Sequence, residues 1–407
     1  MDSLRILIVQ ETNWLDRNVI HQHHLAERLA QRGHDVWVID YDILWQERTE
    51  RHFWLSRQIF PATNRVVDGV NIDVIRPATF QAPLLCHVSW TISSLVELKR
   101  WVDRKRPNVI IGLTLTNSYL MGKMLNRWGI PYISMVLEPY YSMVSQQWLW
   151  PLSQMVERQA LRCADEVVVF TPQMKVYVTQ MSATPHKVNL LKTGVSLDVF
   201  KPGLDGSSQR KKLGLKAEDW VLFFMGWLYD FSGLGEIVKG IYQDPKLLNG
   251  ARLLIVGDGD IYDDLTQMVT EHNLKEQVIL TGRRPYSEIP TLLAAADVCL
   301  MPSLENETTS EIVPMKIYEY LASGKPVVAS RLPGLVAEFG SDSGIIYSDG
   351  PLDALDKAID LKAQPEEVER LSQAGRDTAV QNADWKKITD QFEQLLLNSA
   401  STNGSLA

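Results

Sequence analysis

Three cysteines are all that this chain of 407 residues carries, and Cys86, Cys163 and Cys299 are odd in number and widely scattered. They lack metal-ligand spacing and cannot build a disulfide framework, so a reducing, cytoplasmic setting is expected. No apolar run approaches the roughly 18 residues of a membrane span. The start, MDSLRILIVQ, has an acidic second residue and goes straight into a strand-like run, so no signal peptide is expected. A dense basic stripe is missing too. Residues 1–200 contain 21 Lys+Arg against 18 Asp+Glu, net +3, and the rest 20 against 31, net −11, within an overall −8. A half that is only mildly positive excludes nucleic acid as a main partner. Val256-Gly257-Asp258-Gly259 has Tyr262 where a dinucleotide fingerprint needs its third glycine, so GxGxxG is absent as well.

What is present is the composition of a soluble globular enzyme, 45% hydrophobic and 22% charged. The length is too great for one ordinary core and suits two domains of about 200 residues each. Apolar runs alternate with helical patterns, which predicts parallel sheets with helices on both faces. Strands are expected at 5–9, 36–39, 109–113, 132–137 and 167–170, then at 221–225, 253–256, 278–280, 298–301 and 327–329. The fold class is therefore α/β, with two doubly wound domains. After Gly194-Val195-Ser196-Leu197-Asp198-Val199-Phe200-Lys201-Pro202, the polar, Gly-rich PGLDGSSQRKKLGLKAED reads as a linker. Domains are expected over 1–200 and 201–384. Residues 385–407 form an amphipathic helix, with Trp385, Ile388, Phe392, Leu395 and Leu396 on one face, ending in a disordered tail, SASTNGSLA.

The stretch VCLMPSLENETTSEIVPMKIYEYLASGKPVVAS, residues 298–330, concentrates the chemistry. A buried strand ends at Met301, and a polar loop follows. Pro314 suits the first turn of a helix, and Gly324 with Lys325-Pro326 stops it before the next strand. A loop at a strand's carboxyl end, feeding a helix whose first N–H groups are free, is where α/β proteins hold phosphates. Glu311 and Glu319 would repel phosphates, so they are better placed as acceptors for the hydroxyls of a sugar and a ribose.

Glu311 and Glu319, separated by seven residues and followed by YLASGKPVVAS, resemble the EX7E motif of retaining glycosyltransferases of family 4, which have the two-domain GT-B fold. LAQRGHDV, the strand entry RKRPNVIIG and the segment 194–202 resemble further stretches of that family. The resemblance implies two Rossmann-like domains facing each other across a cleft. The N-terminal one would bind an acceptor, the C-terminal one a nucleotide sugar, and the last helix would cross back to the first domain. It implies Glu311 at the donor sugar and Glu319 at the ribose, with Gly226, Ser232, Gly233, Ile312 and Val313 lining the donor site and Glu138 and Tyr140 the acceptor site. The partners would be a sugar nucleotide and a glycan or lipid-linked acceptor, with no cofactor and no metal.

The family's two diphosphate-binding cations are absent from Gly226-Trp227-Leu228-Tyr229-Asp230-Phe231-Ser232-Gly233, and Glu138 stands where a His is usual. Leaving-group charge must still be neutralised. Lys316, in the first turn of the helix, is expected to do so, helped by Arg283 and Arg284. The departures leave two alternatives open: a GT-B-like subunit that binds sugar nucleotide without transfer, or another GT-B enzyme such as an epimerase or phosphorylase. His21, His23 and His24 have no carboxylate or Cys to complete a metal set. The pairs Asp40/Asp42 and Asp258/Asp260 are expected to be incidental. The stretch 44–60 mixes Trp45, Phe53 and Trp54 with Arg48, Arg51 and Arg57, which suggests peripheral contact at the inner face of a membrane.

Overall fold

A computed structural model describes residues 3–16, 19–43, 52–83, 85–144, 147–182, 185–306, 309–310 and 312–404. The chain divides into two compact units, 1–192 with 387–407, and 193–386. The first contains an eight-stranded sheet in the order Val188–Leu190, Glu166–Val169, Tyr132–Val136, Val109–Leu113, Arg5–Gln10, Asp35–Ile39, Ile72–Arg76, Gln58–Thr63. All pairings are parallel except the last, where Gln58–Thr63 runs antiparallel to its neighbour. The second unit contains a six-stranded parallel sheet in the order Val278–Leu280, Arg252–Val256, Val221–Met225, Val298–Met301, Val327–Ser330, Ile345–Ser348.

The strands of the second unit are continuous apolar runs because both faces of the sheet are covered. Val221, Phe223 and Met225 face one core, shared with Cys299, Met301 and the helix residues Ile317, Tyr320 and Leu321. Leu222 and Phe224 face the other, with Val298, Leu300, Ile237 and Leu355. The side-chain period of two therefore feeds two cores from one strand.

In each unit the strand order reverses once. The reversal in the first lies between Arg5–Gln10 and Val109–Leu113, and in the second between Val221–Met225 and Val298–Met301. Loops leaving the carboxyl ends of such neighbouring strands diverge to opposite sides and open a crevice, where doubly wound proteins bind ligands.

Several expectations need correction. The stretch 202–219 is not a free linker. It forms the helix Ser207–Lys212, and Arg210 donates to the carbonyls of Ala295, Lys216, Ala217 and Asp219 and to the Asp297 carboxylate. The unit boundary also precedes residue 200, since Phe200 is fully buried in the second unit's core and the Val195 N–H donates to the Ala383 carbonyl. At the other end residues 399–404 of the expected tail continue the helix Trp385–Gly404, with the Ser399 hydroxyl bonded to the Leu395 carbonyl at 2.9 Å.

That helix is held to the first unit by a small polar cluster. The Leu4 N–H donates to His34 Nδ1 at 2.9 Å, which leaves the proton on Nε2, and Nε2 donates to Glu393 Oε1 at 2.8 Å. Arg32 bonds Glu393 and reaches Asp390 at 2.6 Å. The RGHDV segment thus has a structural use, with Gly33 at φ +93° turning the chain out of the helix His21–Gln31.

Candidate functional site

At the second unit's reversal point a cavity of about 150 Å³ opens over the carboxyl ends of Val221–Met225 and Val298–Met301. Its wall includes Phe224, Trp227, Ser232, Ser303, Ile312 and Lys316. Three of the expected donor residues, Ser232, Ile312 and Lys316, are therefore brought together, and Gly226 stands at the rim. Gly226 has φ +133°, and a Cβ there would lie 2.7 Å from Lys316 Nζ. Glycine is needed because the backbone conformation is one that L-residues rarely adopt and the amine occupies the space a side chain would need. Gly233 begins the helix Leu234–Gln243 at φ +77°, where a Cβ would meet the Pro302 carbonyl oxygen at 2.0 Å. These close approaches press the two loops together: the Leu304 N–H donates to the Phe231 carbonyl at 2.8 Å.

Lys316 is in the first turn of Met315–Ala322, with Pro314 as the residue before it in extended conformation. Its ammonium lies 4.1 Å from the centre of the Phe224 ring. Burial pushes its pKa down to about 7, with the Glu319 carboxylate acting in the other direction. Glu319, one turn later, is 6% exposed and accepts a hydrogen bond from the Tyr286 hydroxyl at 2.7 Å. Burial pushes it up to about 7, opposed by Tyr286 and Lys316. Burial thus disfavours the charged form of both groups, and each partly offsets this for the other.

Other expected residues are placed elsewhere. Arg283 and Arg284 are exposed, in the loop after Val278–Leu280, two strands from the reversal point. Val313 packs against the core rather than lining the cavity. Glu138 is exposed after Tyr132–Val136, and Tyr140 is buried, its hydroxyl pushed well above its usual range by desolvation. Glu311 lies outside the described residues.

The first unit's reversal point holds groups that sequence reasoning missed. Glu11 follows Arg5–Gln10, and its carboxylate accepts the N–H groups of Leu115 and Thr116 at 2.9 and 2.8 Å. His87 Nδ1 stands 3.7 Å from it, and that interaction raises the His87 pKa against the effect of burial. Glu11 was visible in sequence only as the first polar residue after a strand, 76 positions from His87.

The candidate metal groups have other uses. Among the described residues no cluster of three or more His, Cys, Asp or Glu could hold a metal ion. His23 is sealed between the Trp14 carbonyl and the Ile20 N–H and is lowered to about 4 by burial, as is His21, which packs on Phe170. Asp40 is paired with Arg76 at 2.6 Å, and Asp260 accepts from Trp227 Nε1 at 3.2 Å. In the proposed membrane stretch, Trp45, Arg48 and Arg51 lie outside the described residues. Arg57 is not free for lipid: burial of Glu97 draws it into a two-point bond at 2.7 and 3.0 Å.

Two Rossmann-like sheets, one in each unit, are the architecture of the GT-B fold. Solved structures agree on the fold: sucrose-phosphate synthase from Thermosynechococcus elongatus matches with a TM-score of 0.73 at 20% identity, covering 98% of this chain and 100% of that one. The sequence model described as Glycosyltransferase Family 4 matches residues 19–199, and that of Glycosyl transferases group 1 matches residues 205–378. Between them the two models span most of the chain, and it belongs to family 4 of the glycosyltransferases. A relative from Escherichia coli, UDP-Gal:alpha-D-GlcNAc-diphosphoundecaprenol alpha-1,3-galactosyltransferase, is 24% identical over 310 residues, 74% of this chain and 76% of the relative. D-inositol 3-phosphate glycosyltransferase from Mycobacterium tuberculosis is 27% identical over 251 residues, 59% of this chain and half of the relative's length.

Proposed function

We propose that this chain is a retaining, metal-independent transferase that moves a sugar from a nucleoside diphosphate to a polysaccharide or lipid-linked acceptor. The observation that carries the reading is the position of Lys316, one cation enclosed between Phe224 and Gly226 in the wall of the reversal-point cavity. With the family's usual cations absent from 226–233, this ammonium and the first N–H groups of the helices Leu234–Gln243 and Met315–Ala322 receive the diphosphate. Both are in position before the ligand arrives, so they stabilise the departing diphosphate with little reorganisation. Glu319 accepts the ribose hydroxyls, and Glu311 those of the donor sugar. The E. coli relative's name contains both a UDP-sugar and a lipid-linked acceptor, which supports this pairing of substrates. The first unit takes the acceptor, with Glu11 and His87 joining Glu138 and Tyr140 as the groups around it.

The test is a thermal-shift screen of UDP, GDP and ADP sugars, followed by an assay for nucleotide release in the presence of EDTA. A donor at 100 times its dissociation constant adds about 2.7 kcal/mol of stability. Release that continues in EDTA is expected. Loss of activity restored by Mg²⁺ or Mn²⁺ contradicts the metal-independent reading.

Contact with a membrane is part of the proposal, since a lipid-linked acceptor lies at one. No helix among the described residues is long and apolar enough to cross a bilayer. The helix Leu85–Lys105 carries Leu85, Val88, Ile92 and Val96 on one exposed line, with Ile92 61% exposed. Phe53, Trp54 and Phe80 form an exposed aromatic group nearby, Trp54 edge-on to Phe80 at 4.7 Å. Arg104 and Lys105 end the same helix and Arg106 follows it, so an apolar stripe leads to a basic end, suited to an anionic lipid surface.

A further inference from the structure

We propose that Tyr286 is a positioning residue for the donor site: its hydroxyl holds Glu319 in the orientation and charge state in which that carboxylate accepts the ribose hydroxyls. This rests on the ribose role given to Glu319 above. Tyr286 opens the short turn Tyr286–Glu288, 33 residues before its partner, and donates to Oε1 at 2.7 Å. Its ring packs on Phe200 at 5.8 Å, and Phe200 is fully buried and fastened by Arg376, which donates to its carbonyl at 2.9 Å. The phenol is therefore held by the same core that seats the helix carrying Glu319, since Arg376 also donates to the Ala322 carbonyl of that helix at 2.6 Å. With Oε1 occupied, Oε2 and the remaining lone pairs are left for ligand hydroxyls.

The need for such a group follows from burial. A carboxylate that is 6% exposed in an apolar surround tends to take up a proton and would then donate where it should accept. Among the described residues, the groups that act on Glu319 include Lys316 on its own helix, Tyr286 from the opposing turn, and Tyr320, whose hydroxyl accepts the Met225 N–H at 2.9 Å. Arg283 and Arg284, in the loop leading to Tyr286, are exposed. Lys316 is committed to the phosphates in the liganded site. Tyr286 is then the one group of this set that stays on the carboxylate throughout.

Isothermal titration of UDP, GDP and ADP into the full chain between pH 6 and 9 tests the proposal, using wild type, Tyr286→Phe and Glu319→Gln. Tyr286→Phe keeps the ring against Phe200, so folding should be retained, as a thermal melt would verify. For the nucleotide that wild type binds best, affinity should fall on the acid side as Glu319 protonates and on the alkaline side as Lys316 loses its proton. Removing the hydroxyl should move only the acid limb, upward by about one unit, so that binding is about tenfold weaker at pH 6.5 and equal to wild type at pH 9. Weakening by one factor at every pH, or superimposable curves, overturns the proposal. Glu319→Gln should bind weakly and show no acid limb. If it does while Tyr286→Phe changes nothing, the ribose role stands and the Tyr286 role fails. If Glu319→Gln keeps the wild-type affinity and profile, or wild type binds none of the three, the donor reading itself fails, and Tyr286 loses its role with it.

Discussion

At the scale of single residues, the site depends on a lysine that folding makes weakly basic. Lys316 falls from 10.5 to about 7 on folding, so between those values the unfolded chain binds more protons than the native one. Native stability therefore rises with pH across that window, and below about pH 7 the cost of burying the ammonium is fully present. Lys316→Met should raise the melting temperature at pH 6, by an amount that shrinks toward pH 10, when followed by calorimetry. A gain that is the same at every pH would mean that the amine is not desolvated. Under the proposed function that cost is offset on binding, because a phosphate would then neutralise the same ammonium. Lys316 could be picked out in sequence because it follows a strand and a loop by one helical turn. Tyr286 could not, since nothing in PYSE indicates that its hydroxyl meets a carboxylate 33 positions later.

At the scale of elements, the last helix shows how a motif can be legible while its use is not. Its apolar face was plain from Trp385, Ile388, Phe392 and Leu396, all buried. The polar cluster with Arg32 and His34 was not, because it joins positions 359 and more apart. Burial pushes the Glu393 carboxyl up, but bonds from His34 and Arg32 outweigh it and hold the carboxyl below its usual 4.5. Its contribution is thus complete above that value and is lost as the pH falls through the lower, folded one. Glu393→Ala should cost about 2 kcal/mol in urea unfolding at pH 7. The difference from wild type should narrow under acid conditions, and a cost that persists unchanged at pH 3 would contradict the account.

Three of the strands that were missed lie at the edges of their sheets. Gln58–Thr63 is partly exposed, contains Pro61 and breaks register between Phe60 and Thr63, as an antiparallel edge strand can. Val188–Leu190 and Ile345–Ser348 are short strands at the far edges of their sheets, so neither needs a long apolar run. Most strands buried on both faces were legible nearly to the residue, but Ile72–Arg76 was missed although it is an interior strand with Ile72, Val74 and Ile75 fully buried.

At the scale of the whole molecule, the charge asymmetry agrees with a first unit that meets an anionic surface and a second, acidic unit whose donor charge is handled locally by Lys316. Flotation with anionic liposomes at low salt should show binding that Val88→Asp with Ile92→Asp removes, with circular dichroism unchanged. No flotation of wild type would sink the membrane contact and leave the catalytic reading untouched. The proposed chemistry is tested most directly by nucleotide release from whichever UDP, GDP or ADP sugar the wild type uses, compared with Lys316→Ala. Turnover should fall about 100-fold, as for the loss of one preorganised electrostatic stabiliser, in a protein that melts no lower than wild type. Full turnover in that variant, with donor affinity unchanged, would contradict the assignment of the diphosphate to Lys316.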